Sequence, residues 1–429
     1  MNDAPQNAHV TDSAQSLNHS CYCKTLNQEA LQHQLNRDPS VSRIMADLWQ
    51  SRPHLFSSTV VFVSPETHQH IAEAIEAIER VIALPAYQAL ALERAPAIAQ
   101  YRYGPRGVFL GFDFHLDAEG PKLIEINTNA GGALLNTALA RAQEACCKEM
   151  EWALHPNPSL ALLEQQFVEM FRQEWRLQRG AAPLRTLVIV DEDPHHQYLA
   201  PEFELFRLMF NNAGIDAHVV DPSALSLREG RLFLEQQSVD MLYNRLTDFY
   251  LQDPAHQAIR QAYEQGGVVV TPDPHAHALY ADKRNLIVLS NDDLLAQWGV
   301  SEADRTVLHR VVPHTMLVSV DQAETLWSNR RNLFFKPVAG FGSKATYRGD
   351  KLTKKVWADI LEGDFVAQQL VRPSERLVSY DGVLAELKFD VRAYAYAGDV
   401  QLLAARMYAG QTTNFRTSGG GFAPIVVVP

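Results

Sequence analysis

One β-hairpin pattern organises the chain: Gly111-Phe-Asp-Phe-His-Leu-Asp-Ala-Glu-Gly-Pro-Lys-Leu-Ile-Glu-Ile-Asn-Thr-Asn-Ala-Gly-Gly132. Apolar residues alternate with other residues along its first half, which is the period of a β-strand with one buried face. The segment 117–121 is rich in turn residues. On the return strand the same period places Leu123 on the face of Glu125, and Ile124 on the opposite face.

The hairpin predicts a cluster of oxygen ligands. A turn near residues 118–120 sets Asp113 opposite Glu125 and Asn127, all on one face. Two carboxylates and an amide oxygen suit a hard cation such as Mg²⁺, which usually also takes phosphate oxygens. An ordinary surface hairpin is the alternative, although Glu and Asn fit poorly in an apolar strand without a partner. We therefore take Asp113, Glu125 and Asn127 as candidate metal ligands.

Composition limits the function classes. The 429 residues include 38 basic and 50 acidic side chains, so the formal net charge is −12 at pH 7. That balance argues against a general nucleic-acid binder, which would present a basic face. No apolar run approaches the ~20 residues of a membrane span, and residues 1–10 lack the plan of a signal peptide. The cysteines, Cys21, Cys23, Cys146 and Cys147, show neither a disulfide framework nor zinc spacing, which favours a reduced, cytoplasmic protein.

The hydrophobic patterns divide the chain into four parts. Residues 1–25 are polar and predict a loosely ordered lead-in. Residues 26–180 are mostly helical and carry the hairpin at 107–132. Residues 184–275 alternate strands with helices, which predicts a Rossmann-like, doubly wound parallel sheet whose ligands lie at the carboxyl ends of its strands. Residues 276–429 are again mixed, so the chain as a whole is α/β.

A lysine and a glycine-containing turn form a candidate phosphate site. Lys336 ends an apolar strand and precedes a turn that contains Gly340 and Gly342. Backbone N–H groups of such a turn can bind phosphate oxygens beside the lysine. A lysine whose apolar stem packs at a strand end is the alternative. Lys283 is a weaker candidate of the same kind.

Two further patterns suggest ligand contacts. Gln368 and Gln369 interrupt an apolar strand that ends at Val371, and their groups could bond an adenine edge; an edge strand with one polar face explains them equally well. Arg392 shares a strand face with Asp390, and Arg406 on the partner strand lies near it. Two guanidiniums on one sheet face need an anion between them, either Asp390 or a transferring phosphate.

The joint order of these motifs resembles the ATP-grasp family. In the usual order the metal hairpin comes last. Here the hairpin stands at 111–132, and the segment with Arg392 and Arg406 is the last of these motifs. That order is similar to the circularly permuted members, of which eukaryotic-type glutathione synthetase is the best known. The resemblance implies an ATP-grasp fold with an inserted parallel α/β domain, in which residues 276–429 form the lid and nucleotide-binding core.

The resemblance also implies a reaction and roles for the residues. ATP phosphorylates a carboxylate, and an amine attacks the acyl phosphate with Mg²⁺ (one or two ions) bound. Glu125 and Asn127 would bind the metal, with help from Asp113. The phosphate-binding residues would be Lys283, Lys336, Gly340 and Gly342. The adenine-lining residues would be Gln368, Gln369 and Val371. The catalytic residues would be Arg406, Arg392 and Lys336.

The chain departs from glutathione synthetases around the substrate. Those enzymes carry an arginine where this chain has Gly111, and a metal-binding glutamate near the position of Gly340. Their loop before Gly-Gly is longer than Asn129-Ala130 of this chain. We therefore expect a different acid and amine, with Arg245, Asn129 and Gly420 as candidate substrate residues. A structural ion pair is the alternative role of Arg245.

Three functions fit the sequence. The first is a carboxylate–amine ligase for small amino-acid or peptide-like substrates. The others are a small-molecule kinase on the same fold and a non-catalytic nucleotide-binding protein. The family resemblance admits a homodimer, and no nucleic-acid or membrane partner is expected.

Overall fold

The computed structural model describes residues 13–36, 38–39, 42–145, 158–340 and 345–428. Within these ranges the fold is mixed α/β, as the sequence patterns predicted. The strands are β1 Val61–Val63, β2 Leu110–Asp117, β3 Gly120–Asn127, β4 Thr186–Val190, β5 Asp216–Val220, β6 Leu225–Arg228, β7 Arg231–Leu234, β8 Gln237–Ser238, β9 Met241–Asn244, β10 Val269–Thr271, β11 Thr315–Leu317, β12 Leu333–Pro337, β13 Tyr347–Arg348, β14 Phe365–Gln369, β15 Ser374–Tyr380, β16 Val383–Tyr396, β17 Asp399–Tyr408 and β18 Gly421–Val427.

The α-helices cover the sheets and connect them. They are α1 Ser13–Ser20, α2 Gln28–Leu35, α3 Ser42–Ser51, α4 Pro65–Ile82, α5 Pro85–Glu93, α6 Ala133–Arg141, α7 Pro158–Arg179, α8 Ala200–Asn212, α9 Gln257–Glu264, α10 Pro274–Tyr280, α11 Asn285–Leu289, α12 Asp292–Gln297, α13 Glu302–Val311, α14 Ala323–Asn329 and α15 Lys354–Glu362. Among the described helices, none combines the length and apolar character that crossing a membrane requires.

The largest sheet joins the hairpin to strands from the far end of the chain. Its order is β1-β18-β17-β16-β2-β3, and β15 pairs with the first part of β16. Neighbouring strands are antiparallel, except that β1 runs parallel to β18. One face of the sheet packs on helices α4 and α13 in a core that includes Phe112, Val391 and Ile78. The hairpin therefore completes a sheet whose other central strands are about 270 residues away in sequence, as the pairing of Phe114 with Val391 shows.

The hairpin contains a β-bulge that the sequence pattern did not reveal. Asp113 pairs with Glu125, as predicted. The next pair along is Phe114 with Leu123, which leaves Ile124 as the extra residue. A bulge shifts the alternation of faces by one residue, so Leu123 packs with Phe114 in the core. The prediction that Leu123 lies on the face of Glu125 is therefore wrong.

A second sheet is parallel, with the order β10-β9-β4-β5. Its strands are those predicted from the sequence, and helices cover both faces: Ile189 packs with Phe206 of α8, and Val188 packs with Ile259 of α9. From β4 the chain first forms β5 on one side and later β9 on the other. The connections therefore diverge at the carboxyl ends of β4 and β9, where such sheets bind ligands.

Two smaller antiparallel sheets complete the architecture. Strands β6, β7 and β8 form a meander beside the parallel sheet, which the sequence analysis did not predict. Strands β11, β14, β12 and β13 form a four-stranded sheet covered by α14 and α15. Phe335, Trp357 and Leu326 lie in the core of this unit.

Helix α1 lies within the predicted lead-in of residues 1–25, of which residues 1–12 lie outside the described residues. Helix α1 packs beside β1 and β15, and the Asn18 side chain bonds both backbone groups of Phe62, at 2.8 and 3.0 Å. Arg376 is fully buried and donates to the carbonyls of Asn18 and Cys21 at the end of this helix. Carbonyls at a helix C-terminus have no intrahelical partner. The buried Arg376 side chain supplies donors to two carbonyls there, and these bonds hold the polar segment in place.

The cysteines add little to the fold. Neither Cys21 nor Cys23 is in a disulfide bond among the described residues. Cys146 and Cys147 lie outside the described residues.

A buried glutamate connects four parts of the fold. Glu174 of α7 is fully buried. Its carboxylate accepts from the backbone N–H groups of Arg106 and Gly107, from the Thr271 hydroxyl at 2.6 Å and from the Tyr396 hydroxyl at 2.9 Å. Burial raises the pKa of Glu174 above its ordinary value, although these donors oppose the shift. One side chain thus links the loop before β2, the parallel sheet and β16.

Glu174→Ala is expected to lower the free energy of unfolding by about 3 kcal/mol or more, because several buried donors lose their acceptor. Tyr396→Phe removes one of these hydrogen bonds and serves as the control, with an expected cost of about 1 kcal/mol. Urea unfolding followed by circular dichroism measures both. Equal small effects of the two variants would show that Glu174 does not connect these elements.

Candidate active site

A cleft lies between the largest sheet and the β11–β14 sheet. The volume that it encloses is about 90 Å³, below the ~300 Å³ at which typical ligand pockets begin. Most of the predicted nucleotide, metal and catalytic residues line it: Asp113, Glu125, Lys283, Lys336, Gly340, Gln368, Gln369, Val371 and Arg406. Strands β2 and β17 supply one wall, and β12 and β14 supply the other. The structure therefore brings together residues that are up to about 290 positions apart in sequence.

The three candidate metal ligands are neighbours. The Nδ2 atom of Asn127 lies 3.0 Å from Oδ2 of Asp113 and 3.4 Å from Oε1 of Glu125. Their surroundings differ, however. The Asp113 side chain is 2% exposed, whereas that of Glu125 is 33% exposed and faces the cleft.

Two arginines surround Asp113. Arg392 donates from Nε to Oδ1 and from Nη2 to Oδ2, both at 2.7 Å, and Arg406 donates from Nη2 to Oδ2 at 2.9 Å. Such a bidentate arginine–carboxylate pair is among the strongest hydrogen-bonded arrangements in proteins. The anion between the two guanidiniums is thus Asp113, and Asp390 binds only the outer side of Arg406, at 2.7 Å.

The charges of the site determine which groups are ionised. Burial alone would raise the pKa of Asp113, but Arg392 and Arg406 bring it below the ordinary value. Burial likewise opposes ionisation of Glu125, and Lys283 is the main charge that lowers its pKa below the ordinary value. Burial alone would lower the pKa of Arg406, but Asp113 and Asp390 raise it. Both carboxylates are therefore ionised at neutral pH.

The bulge of the hairpin contacts the opposite wall of the cleft. Lys336 donates to the carbonyl of Ile124 at 2.7 Å and to Oε1 of Gln368 at 2.8 Å. The amide of Gln368 lies 3.4 Å from the carbonyl of Leu123. The extra residue Ile124 lines the cleft, so the bulge supplies both a carbonyl and an apolar side chain there. These bonds hold the two sheets at a fixed separation.

Lys336 is buried, and its burial lowers its pKa to about 8; the charges of Glu125 and Asp113 oppose the shift. Lys283 contacts the cleft from outside the sheets. Its Nζ atom donates to the carbonyl of Gly340 at 3.1 Å and lies 3.9 Å from the Glu125 carboxylate. The two lysines therefore lie on either side of Glu125, and Gly342 lies outside the described residues.

The segment that follows β14 contacts a residue that the sequence analysis missed. Nδ1 of His115 lies 3.0 Å from the carbonyl of Val371. Because a carbonyl only accepts, the proton of this ring is on Nδ1. Burial lowers the pKa of His115, and the residue lines the cleft with Gln369. The sequence did contain a signal for His115, because it follows Asp113 by two residues and therefore lies on the same strand face.

The candidate substrate residues lie apart from the cleft lining. Arg245 donates to the carbonyl of Asn129 at 2.8 Å, and its Nε atom is buried without a hydrogen-bond partner. Asn129 follows Asn127, the last residue of β3, by two residues, so the residue whose carbonyl Arg245 binds lies within about 7 Å of Asn127. Gly420 lies near Met407, whose carbonyl would be 2.5 Å from a Cβ added there.

Two carboxylates lie near Arg245: Glu202, which is buried, and Asp191, which is half-buried. Glu202 is 1% exposed and accepts from the N–H groups of Gly132 and Leu134 at the start of α6. Burial raises the pKa of Asp191, at the end of β4, to about 6, although Arg245 opposes the shift. Burial alone would lower the pKa of Arg245, but the charges of Tyr243, Glu202 and Asp191 raise it. Its alternative role as part of a structural ion pair stays a prediction.

The donors present fit a magnesium ion shared with a ligand. Across the described part of the chain, no three His, Cys, Asp or Glu side chains converge to hold a metal by themselves. Mg²⁺ is usually held by one or two carboxylates together with waters and phosphate oxygens. The open carboxylate of Glu125 and the amide of Asn127 match that incomplete protein shell.

Gln368 is expected to control the titration of Lys336. In the wild-type chain the Lys336 ammonium should titrate near pH 8, which NMR of the Cε signal can follow. Gln368→Glu places a carboxylate beside Nζ and should raise the pKa, whereas Gln368→Leu removes an acceptor of the charged form and should lower it. A wild-type midpoint near the ordinary lysine value of about 10.4 would contradict the observed burial.

Comparisons with known proteins show which solved structures share this fold. No family model and no curated protein matches the chain. A glutathione synthetase-like effector from Globodera pallida matches in structure with a TM-score of 0.57 and 13% identity, over 94% of this chain and 98% of its own. A putative gamma-glutamylcysteine synthetase from Methylobacillus flagellatus matches over 81% and 83% of the two chains, with 12% identity and a TM-score of only 0.45. The chain therefore has the fold of a glutathione synthetase-like protein, which confirms the resemblance predicted from the order of its motifs.

Proposed function

We propose that the protein is an ATP- and Mg²⁺-dependent ligase that joins a small carboxylic acid to an amine through an acyl phosphate. One observation carries the proposal. A single cleft between two sheets contains the exposed carboxylate of Glu125, two buried lysines, and Arg406 held in place by two carboxylates. Cations around an open acidic ligand suit a polyphosphate with its metal.

The residues of the chain divide the proposed chemistry among them. The carboxylate oxygen of the acid attacks the γ-phosphorus of ATP, and ADP leaves. Lys283 and Lys336 neutralise charge on the phosphates, while Arg406 and Arg392 stabilise the acyl phosphate. The amine nitrogen then attacks the acyl carbon, phosphate leaves, and the amine proton passes to solvent. The fixed guanidiniums need no rearrangement as negative charge develops on the acyl oxygen.

Glu125 and Asn127 would hold the magnesium ion, which neutralises phosphate charge when bound. Gln368, Gln369 and Val371 would contact the adenine, and Ile124 would pack against it from the hairpin side. Gly340 would lie near the phosphates through its bond with Lys283.

The substrate side of the proposal rests on Arg245. It lies beside the diverging connections of the parallel sheet, at the carboxyl end of β9. A buried guanidinium with an unpaired Nε atom suits a carboxylate of the amine substrate. Asn129 holds the same loop, and Gly420 would border the substrate from the start of β18.

The chain order supports a circular permutation of the ATP-grasp fold. The metal hairpin β2–β3 pairs with β16, although it precedes β16 by more than 200 residues. We propose that the parallel unit of residues 184–275 is an inserted substrate domain and that residues 276–429 form the lid and nucleotide core. A homodimer and a cytoplasmic location remain part of this proposal.

ADP release that requires both an acid and an amine tests the function. We expect ADP from purified protein only with Mg²⁺, ATP and a correct pair drawn from amino acids and dipeptides. Glu125→Gln should lower that rate by about 100-fold, because a charged metal ligand is lost. Mass spectrometry of the product should show the two substrates joined with loss of water.

Glu119→Gln is the matched control, since Glu119 lies at the exposed turn of the same hairpin and pairs with Lys122. It should leave the rate unchanged. A stable phosphorylated product formed without an amine would instead identify a kinase. Nucleotide binding without turnover across a broad panel would favour a binding protein.

A further inference from the structure

The hydrogen bonds of Asp113 leave little capacity for a metal. Oδ1 accepts from Nε of Arg392, and Oδ2 accepts from Arg392, Arg406 and Asn127 at 2.7, 2.9 and 3.0 Å. A carboxylate offers about two acceptor positions on each oxygen, so Oδ2 with its three donors is saturated, and Oδ1 keeps one position beside the Arg392 guanidinium. The side chain is also 2% exposed.

A cation at Asp113 would have to displace a donor from Oδ2 or bind at Oδ1 directly beside the positive charge of Arg392. Arg406 has a second carboxylate, Asp390, at 2.7 Å. Among the described residues, Asp113 is the only carboxylate that pairs with Arg392, whose side chain is 10% exposed. A buried guanidinium that loses its anion next to a second guanidinium is strongly unfavourable. The arrangement therefore favours arginine pairing over metal binding at Asp113.

Glu125 has the opposite environment. Its side chain is 33% exposed, its closest cation is Nζ of Lys283 at 3.9 Å, and it accepts one long hydrogen bond of 3.4 Å from Asn127. Its oxygens are therefore open toward the cleft. Of the two paired acids of the hairpin, one is bound to arginines and the other is available to a cation.

The backbone near Asp113 lies in contact with the same arginine. A Cβ added at Gly111 would be 3.4 Å from Nε of Arg392, which is an ordinary van der Waals distance. The same Cβ would lie 2.5 Å from Cβ of Ala130, which is a clash. Glycine at position 111 is therefore required by the approach of Ala130, and Arg392 packs against β2 beside it.

We propose that Asp113 is a positioning residue that fixes Arg392 and Arg406 side by side at the cleft, and that it is not a ligand of the metal. This inference rests on the proposed function. It assigns metal binding on the protein side to Glu125 and Asn127 alone. The two guanidiniums, with their remaining N–H groups, then form a preorganised site for the anionic oxygens of the acid substrate.

Metal affinity separates the two roles of Asp113. Mn²⁺ binding to the protein with a non-hydrolysable ATP analogue is measured by electron paramagnetic resonance, which needs no turnover. Asp113→Asn should leave the Mn²⁺ dissociation constant within twofold, whereas Glu125→Gln should raise it at least tenfold. Asp117→Asn, an exposed change on the same strand, is the control. A tenfold loss in Asp113→Asn would overturn the inference.

Arg392→Lys provides a second test, which does not depend on the folding of Asp113→Asn. It keeps the charge but removes the bidentate pair. We expect unchanged Mn²⁺ affinity and at least a tenfold lower kcat with the substrate pair found by ADP release. If Asp113 acts through Arg392, the double variant with Asp113→Asn and Arg392→Lys should have a kcat no lower than that of the slower single variant. Multiplicative losses in the double variant, or a tenfold change in Mn²⁺ affinity, would overturn the inference.

The outcomes also separate this inference from the proposed function. A wild-type protein that binds neither Mn²⁺ nor the analogue would contradict the ligase proposal, and the inference with it. Wild-type binding that is lost in Asp113→Asn would contradict the inference alone.

Discussion

The carboxylate of Asp113 between two buried guanidiniums is the interaction on which the site depends. Arg392 and Arg406 come from adjacent strands, β16 and β17, and would repel each other without an anion. Asp113 can reach both only because β2 pairs with β16. The sheet order and the charge pattern are thus one constraint: a hairpin placed elsewhere would leave Arg392 without its carboxylate and Arg406 with Asp390 alone. This requirement explains why an N-terminal hairpin completes a C-terminal sheet.

A second set of bonds sets the width of the cleft. The bulge at Ile124 turns a carbonyl toward Lys336, and Gln368 lies 2.8 Å from the same lysine. A regular hairpin would direct that carbonyl along the ladder to the partner strand. The irregular residue therefore connects the two sheets. The Lys336 amine is also buried and its pKa is lowered by that burial, a combination that is common at functional sites.

Much of the fold and the candidate site follows from short-range patterns. Alternation in the hairpin predicted that Asp113 faces Glu125, and alternating strands and helices predicted the parallel sheet, because these signals depend only on which face of an element is buried. The bulge, the role of His115 and the packing of helix α1 were not predictable. Each depends on backbone carbonyls or on distant partners, such as Arg376 at the end of α1, and residue types do not encode these.

The sequence by itself determined the chemical inventory: which acids, lysines and arginines occur on apolar strands, and in what order. Only the tertiary structure decided how they share their charges. Two carboxylates, Asp113 and Glu125, look equivalent in the hairpin pattern, yet one is enclosed by arginines and the other is open to the cleft. The reason is physical, because the ionisation and ligand capacity of a buried carboxylate depend on the cations and donors around it. Those come from strands that the hairpin meets only after folding.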